Sequence, residues 1–157
     1  MTTNFMLRET YEKLSERLKQ IIGVEIPKIS KAKQKAAEEG DLSENAEYQG
    51  CKEKLELLHS QYENIKQRIS QPTFIESLRI AGNIVSIGTK VKVEENGKNR
   101  TYLILGSPDT DVENDIISFT SPLAKGMIGK KAGAELSIDV PDGVRKIKIL
   151  DIKPFNK

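Results

Sequence analysis

The chain has 157 residues, of which 37% are hydrophobic and 31% are charged, so it can bury a core beneath a hydrated surface. Its 25 Lys and Arg residues against 23 Asp and Glu residues give a net charge of +2, too balanced for a protein that coats nucleic acid without specificity. A single cysteine excludes an intramolecular disulfide. The sequence shows neither a signal peptide nor a run of about 20 apolar residues, so we expect a cytoplasmic protein with no membrane partner.

Apolar residues in the first half repeat with the heptad spacing of two helices that pack on each other. One stripe runs from Leu7 to Ile21, and the other runs from Tyr48 to Ile69. Between them, Gly40 suits the left-handed residue that ends a helix, and Asp41 suits the N-cap of the next helix. Because the connection is short, residues 1–76 are predicted to form an antiparallel coiled-coil hairpin.

The heptads also predict which residues face each other across this hairpin. The antiparallel register that pairs Leu18 with Ile65 also pairs Lys35 with Tyr48. Pro27 lies in the first arm and removes one helical hydrogen bond, so we expect a kink or a break there.

The second half, residues 77–157, is predicted to be a separate domain with a small antiparallel sheet and one short helix. From residue 84 the hydrophobic period becomes two, as in a half-buried strand. Ser121 suits an N-cap and Pro122 the first position of a helix that ends near Met127. The fold class is therefore α+β. The predicted strands begin at residue 84 and cover 100–105, 116–119, 135–140 and 144–152.

Two acids, Asp41 and Glu44, stand three residues apart in the connection at the end of the hairpin. This spacing is that of a capping box, in which both carboxylates bind backbone N–H groups. Alternatively, two carboxylates displayed at a tip could hold Mg²⁺, which often takes one or two carboxylates together with water and phosphate oxygens. Spacing alone favours the capping box.

Lysines are concentrated on the helices near this connection. Lys31 and Lys35 share one face of the first arm, and the predicted register brings Lys52 opposite Lys31. A solvated charged face is the simplest interpretation, and a surface that binds phosphate is the alternative.

The segment Gly-Asp-Leu-Ser-Glu-Asn-Ala-Glu-Tyr at residues 40–48 resembles the tip signature of the bacterial Gre transcript cleavage factors. The opening Tyr-Glu-Lys-Leu at residues 11–14, Pro27 and the segment Ser-Pro-Leu-Ala-Lys-Gly-Met-Ile-Gly-Lys-Lys at residues 121–131 follow in family order. The resemblance covers nearly the whole chain. It implies an N-terminal coiled-coil hairpin and a C-terminal domain similar to FK506-binding proteins.

The resemblance further implies that the C-terminal domain docks on RNA polymerase at the rim of its secondary channel, while the hairpin enters the channel. Asp41 and Glu44 match the two essential tip acids of the family. They would help to hold the second Mg²⁺ of the polymerase active centre and position the attacking water when the nascent RNA 3′ end has backtracked. The polymerase would be the nuclease, and this chain would be neither an enzyme nor a stable metal binder by itself.

Further site residues are expected within this framework. Position and charge make Lys31, Lys35 and Lys52 the expected RNA-facing patch, although the family patch commonly uses arginine. The residues expected to support the tip are Gly40, Leu42, Ser43, Asn45 and Tyr48. The residues expected to dock on polymerase are Ser121, Pro122 and Lys125. Residues 1–80 hold 13 Lys and Arg and 13 Asp and Glu residues, which favours the less basic GreA-like branch, and we expect a monomer.

Three alternatives remain at this stage. An inhibitory Gre paralogue would occupy the same channel without stimulating cleavage, although such paralogues usually alter the tip acids. A prolyl isomerase needs an aromatic-lined site, whereas residues 81–157 contain only Tyr102, Phe119 and Phe155 as aromatic residues. A coiled-coil adaptor without a metal role would be unaffected by neutralising the tip acids.

Overall fold

The computed structural model describes residues 4–40 and 45–156 of the chain. They divide into two compact units. The helical unit is Tyr11–Gln71, and the sheet unit combines residues 4–10 with residues 72–156. The helical unit ends at Gln71, close to the predicted boundary at residue 76. Residues 4–10, in contrast, belong with the sheet unit and not with the hairpin.

The helical unit contains the predicted helical hairpin. Its first arm consists of α1 (Arg8–Gln20), which starts in the sheet unit, and α2 (Ile26–Glu38), and its second arm is α3 (Ala46–Arg68). α2 and α3 pack along their length. The long amphipathic arms therefore stabilise each other through a buried seam rather than through helix propensity alone.

A π-helical turn, Ile21–Glu25, joins α1 to α2 where a kink or a break was expected. The Ile26 N–H donates to the Ile21 carbonyl, so this turn holds one residue more than an α-helical turn. Pro27 follows directly after this turn and cannot donate a backbone hydrogen bond, yet the backbone stays helical.

The extra residue moves the hairpin seam by one position. Ile21 is fully buried in the seam. If the helix continued without interruption, the seam would return two heptads later at Lys35, which is what the sequence predicted. Instead Lys35 is exposed and Ala36 is 3% exposed. The predicted pairing of Lys35 with Tyr48 is therefore wrong, because a π-helical turn rotates everything after it by about 100° relative to a continuous α-helix.

The main sheet of the sheet unit has five strands, namely β3 (Thr89–Glu95), β4 (Lys98–Leu105), β5 (Ile116–Ser118), β6 (Glu135–Val140) and β7 (Gly143–Pro154). Their spatial order is β5-β4-β3-β7-β6. Neighbouring strands are antiparallel except β4 and β5, which are parallel, so the sheet is mostly and not purely antiparallel as expected. The predicted strand at residue 84 begins only at Thr89, since Val85 lies in a loop and exchanges backbone hydrogen bonds with Gly129 and Lys130.

One helix, α4 (Pro122–Met127), covers the buried face of this sheet, with the predicted bounds and cap. The Ala124 N–H donates to the Ser121 hydroxyl at 3.3 Å. Gly126 lets the helix approach β6, because a Cβ there would lie 2.7 Å from side-chain carbons of Ile138. The core beneath α4 is formed by Val85, Val91, Val93, Tyr102, Ile104, Leu123, Ala124, Met127, Ile138, Ile147, Ile149 and Ile152.

Two short strands outside the main sheet were not predicted. β1 (Asn4–Met6) pairs in parallel with β2 (Pro72–Phe74). Leu7, assigned to the hairpin seam from its spacing, instead follows β1, and its N–H donates to Asp109 at 2.8 Å. The Arg8 N–H donates to both carboxylate oxygens of Glu76 at 3.0 and 2.9 Å, so acids distant in sequence cap the start of α1.

Candidate functional site

The end of the hairpin lies between Gly40 and Asn45. α2 ends at Glu38, and its C-cap Glu39 keeps a right-handed conformation. Gly40 does not have a positive φ, so its predicted left-handed role is wrong. Four predicted site residues lie outside the described residues, namely Asp41, Leu42, Ser43 and Glu44.

Asn45 fastens the two arms together at this end. Its Oδ1 accepts the Tyr48 N–H at 3.1 Å, which makes it the N-cap of α3. Its Nδ2 donates to the Ala36 carbonyl of α2 at 2.6 Å. The N-cap of α3 thus falls four residues after the predicted Asp41.

Replacing Asn45 with Ala is expected to lower the free energy of unfolding by about 1 kcal/mol, or somewhat more because two hydrogen bonds are lost. Asn45→Ser should recover part of this loss, since a serine hydroxyl still caps α3 but cannot reach across to Ala36. Urea unfolding followed by circular dichroism measures both. Equal stability of the Ala variant and the unsubstituted protein would contradict the bridging role.

Behind Asn45, one side of the hairpin carries Lys33, Tyr48 and Lys52, which we call the Tyr48 face. Tyr48 is half-buried, and the Lys33 ammonium lies 5.5 Å from the centroid of its ring, within the range of a cation–π contact. Lys52 follows Tyr48 by one helical turn and is exposed. Sequence reasoning missed Lys33, because the position of the π-helical turn decides which lysine meets Tyr48.

The opposite side of the hairpin is a shallow groove, which we call the interhelix groove. Its floor is apolar and includes Ile29, Ala32, Ala36 and Cys51. Its charged lining residues are Lys35, Glu39, Glu47 and Lys54.

The three lysines predicted as one patch are therefore divided between two surfaces. Lys52 belongs to the Tyr48 face, whereas Lys35 lines the interhelix groove. Lys31 precedes Lys35 by one helical turn and is exposed. Contact of Lys31, Lys35 and Lys52 with RNA remains a prediction.

The predicted docking residues lie together at the start of α4. Pro122 and Lys125 are exposed, and half-buried Ser121 is occupied as the helix cap. The structure thus gathers Ser121, Pro122 and Lys125 within one turn at the surface of the sheet unit. Their role in docking remains a prediction.

A second charged cluster, on β3, β4 and β7, has a structural explanation. Arg145 forms two hydrogen bonds to the Glu95 carboxylate, at 2.9 and 2.6 Å, and donates to the Tyr102 hydroxyl at 2.9 Å. The hydrogen bond from Arg145 lowers the pKa of Glu95, and the same bond raises the pKa of Arg145. The cluster ties the end of β3 to β7 and presents no unpaired group to a ligand.

Among residues 4–40 and 45–156, no three His, Cys, Asp or Glu side chains are grouped so that they could hold a metal ion. No helix in the same ranges is long and apolar enough to cross a membrane.

Known proteins resemble this chain along most of its length. The family model for the N-terminal domain of transcription elongation factors GreA/GreB matches residues 4–73, and the model for their C-terminal domain matches residues 80–154. Transcription elongation factor GreA of Helicobacter pylori (strain Shi470) is 39% identical over 144 residues, which is 90% of this chain and 88% of the relative. GreA of Thermodesulfovibrio yellowstonii is 35% identical over 149 residues, covering 94% of each.

Among solved structures, the GreA factor homolog 1 (Gfh1) of Thermus thermophilus aligns with 96% of this chain and 99% of its own, at 20% identity and a TM-score of 0.45. The two domain models together match most of the described residues, and the curated relatives exceed 30% identity over nearly their full length. The chain therefore belongs to the GreA/GreB family of transcription elongation factors and is GreA-like.

Proposed function

We propose that this chain binds RNA polymerase, inserts its hairpin into the secondary channel and stimulates the polymerase to cleave backtracked nascent RNA. Cleavage creates a new RNA 3′ end in the active centre, and elongation resumes. In this proposal the polymerase is the nuclease, and the chain is a monomeric cytoplasmic factor and not an enzyme by itself.

The observation that carries the proposal is the construction of the hairpin end. The second arm, about 35 Å long at 1.5 Å per helical residue, is joined to the first arm by Asn45 directly beside the segment that holds Asp41 and Glu44. Asn45 also takes the N-cap position of α3 that the sequence suggested for Asp41. Two acids placed next to a hairpin end that is held together in this way suit a site completed by a second protein.

The donor chemistry of the tip fits Mg²⁺, which prefers carboxylate oxygens and commonly takes only one or two of them from a protein. Asp41 and Glu44 would hold an ion shared with the polymerase active centre and orient the attacking water. When bound there, Mg²⁺ would stabilise charge on the attacking and leaving oxygens of the phosphodiester. Leu42, Ser43, Gly40 and Tyr48 would keep the acids in place.

Docking is assigned to the sheet unit, with Ser121, Pro122 and Lys125 as the proposed contacts at the polymerase rim. This assignment is supported by the exposed position of the start of α4 and by the family to which the chain belongs. Two of the three are exposed and therefore accessible to a partner.

The test is a cleavage assay on a purified bacterial elongation complex stalled in a backtracked state. Adding the protein should release short 3′ RNA fragments faster than the complex does alone, and should allow elongation to resume when nucleotides are supplied. Binding without faster cleavage would instead identify an inhibitor of the secondary channel. Failure to bind polymerase would refute the proposal altogether.

A further inference from the structure

We infer that the interhelix groove and its continuation along α3 bind an amphipathic α-helix of RNA polymerase, which lies on the hairpin as a third helix. This inference rests on the proposed function and adds to it a partner element and the side of the hairpin that this element contacts. The inference is drawn from the length of the groove, the asymmetry of the hairpin seam and the charges beside it.

The interhelix groove continues through two further hollows, and we call the three together the full groove. Each hollow shares two lining residues with the next, namely Ile29 and Lys54, and then Arg17 and Gln61. Glu47 and Ile65, near its two ends, are 18 positions apart on α3, which corresponds to about 27 Å at 1.5 Å per helical residue. A helix of about five turns fits this length.

The seam between the two arms is covered on one side and open on the other. Tyr48 and Tyr62 occupy the same heptad position of α3, and the ammonium groups of Lys33 and Lys66 lie over their rings. Aromatic rings and lysine side chains thus shield the seam on that side. The alternate seam positions of α3 all line the full groove, namely Cys51, Leu58 and Ile65. The apolar contacts of the seam are therefore accessible from the groove.

The walls of the full groove favour a helix over an extended segment. Both walls are helices, whose backbone N–H and C=O groups are bonded within each helix. An extended segment on this apolar floor would leave its own backbone groups without partners, whereas an α-helix satisfies them internally. Ala32, Ala36 and Gly50 line the half near the tip, and their small size lets a third helix approach the seam closely.

Leu57 provides apolar contact area in the half of the groove farther from the tip. Its side chain is 58% exposed, although its neighbour Leu58 is almost completely buried. Single exposed leucines are common on protein surfaces, but this one lines a groove together with Ile29 and Leu58. The apolar stripe of an amphipathic helix would remove all three from water.

The charges beside Leu57 define the polar residues of the partner helix. Arg17 and Glu25 neutralise each other in an ion pair. Lys28 and Lys54 line the same hollow, and neither forms an ion pair with any residue in 4–40 or 45–156. The partner helix should therefore carry an acidic residue level with these two lysines.

The experiment fills the groove without weakening the hairpin. Gly50→Leu places a leucine where nothing lies within 4 Å of a Cβ and replaces glycine with a good helix former, so urea unfolding should show no loss of stability. In the cleavage assay on the backtracked complex, this variant should need roughly tenfold more factor for half-maximal cleavage, because the leucine occupies the place of the partner helix. The cleavage rate at saturating factor should be unchanged, since the tip is intact.

Gln49→Leu is the matched control, because it adds a leucine at the same depth without changing the charge. Gln49 is exposed and points about 100° away from Gly50, off the groove. This variant should need the same concentration of factor as the unsubstituted chain. An equal increase for Gln49→Leu and Gly50→Leu would overturn the inference, and so would an unchanged requirement for Gly50→Leu.

Cys51 gives a measurement that does not depend on cleavage. It is the only cysteine of the chain, is half-buried and lies in the floor of the interhelix groove. A helix above it should slow its alkylation by iodoacetamide at least about tenfold in the polymerase complex, measured by mass spectrometry of the modified peptide. Alkylation as fast as in the free chain would overturn the inference.

A photo-crosslinking residue in place of Leu57 identifies the occupant. It should attach to a helical segment of the polymerase, whereas attachment to nascent RNA, to a polymerase loop or to a second copy of the chain would overturn the inference. If the unsubstituted chain binds polymerase without stimulating cleavage, the proposed function fails, and Cys51 and the crosslink still decide whether a helix covers the groove. Failure to bind polymerase would refute both.

Discussion

Asp41→Asn and Glu44→Gln are each expected to reduce stimulated RNA cleavage by at least about a hundredfold while leaving polymerase binding intact. An amide retains the shape and one oxygen of the carboxylate but loses its charge, and a hard divalent cation binds the neutral oxygen far more weakly. The affinity of the factor for polymerase depends on other surfaces and should not change. Fragment release and competition binding, measured on the same backtracked complex, separate the two quantities.

Glu47→Gln is the matched control for this experiment. Glu47 lies in the first turn of α3, three residues beyond Glu44, is exposed, and undergoes the same chemical change. It should retain nearly full stimulation, because it stands on the helix that supports the tip and not in the connection that carries the two proposed ligands. A comparable loss in Glu47→Gln would mean that general negative charge, and not a specific pair, is responsible.

The metal dependence of the reaction provides an independent criterion. If Asp41 and Glu44 help to hold Mg²⁺, their amide variants should need higher Mg²⁺ concentrations for half-maximal cleavage, and excess metal should recover part of the rate. A variant that is inactive at every Mg²⁺ concentration yet still binds polymerase would indicate a different role, such as shaping the connection. Unchanged cleavage in both variants would identify the chain as an adaptor without a metal role.

Local chemistry explains which elements were predictable from the sequence. The start of α4 was predicted to the residue because its signals, Ser121 at the N-cap and Pro122 in the first turn, act within four positions. β6 and β7 were likewise located by the alternation of apolar and polar residues. The helical hairpin followed from heptads that extend over several turns, which is the most reliable kind of pattern.

Elements that depend on distant partners were missed. β1 has three residues and pairs with β2, which lies almost 70 residues later, so no local period could reveal it. The parallel pairing of β4 with β5 also depends on tertiary packing. At the hairpin end, Asp41 and Asn45 are both good N-cap residues, and only the cross-helix bond to Ala36 distinguishes them.

The candidate site shows how one local irregularity changes a functional assignment. The two tip acids, Asp41 and Glu44, were proposed from the sequence segment itself, and they lie outside the described residues. The basic patch required the register of the first arm beyond Pro27. The π-helical turn shifts that register by one residue, and this shift exposes Lys35, buries Ala36 and places Lys33 over Tyr48.

Gly106→Ala is expected to lower the free energy of unfolding of the sheet unit by about 3 kcal/mol, at the upper end for overpacking. Gly106 follows β4 and has a φ of −86°, so alanine would be acceptable to its own backbone. The cost comes from packing, because a Cβ would lie 2.7 Å from the carbonyl carbon of Phe5 and closer still to its oxygen. Backbone atoms of β1 cannot rotate away as a side chain would.

Gly50→Ala is the contrasting substitution, because nothing lies within 4 Å of a Cβ at this exposed position in α3. It should stabilise the hairpin by about 0.5–1 kcal/mol through helix propensity. Urea unfolding of both variants should therefore give shifts of opposite sign.

A double-mutant cycle locates the cause of the Gly106 effect. Removing residues 1–6 eliminates β1 and should abolish most of the additional loss caused by Gly106→Ala, because the substituted methyl group then has no backbone to displace. The truncation by itself should be destabilising, since it removes the fully buried Met6 and the edge contact of Phe5 with Phe119. Additive losses in the cycle would show that Gly106 does not pack on β1, and the parallel pairing of β1 with β2 would then have to be revised.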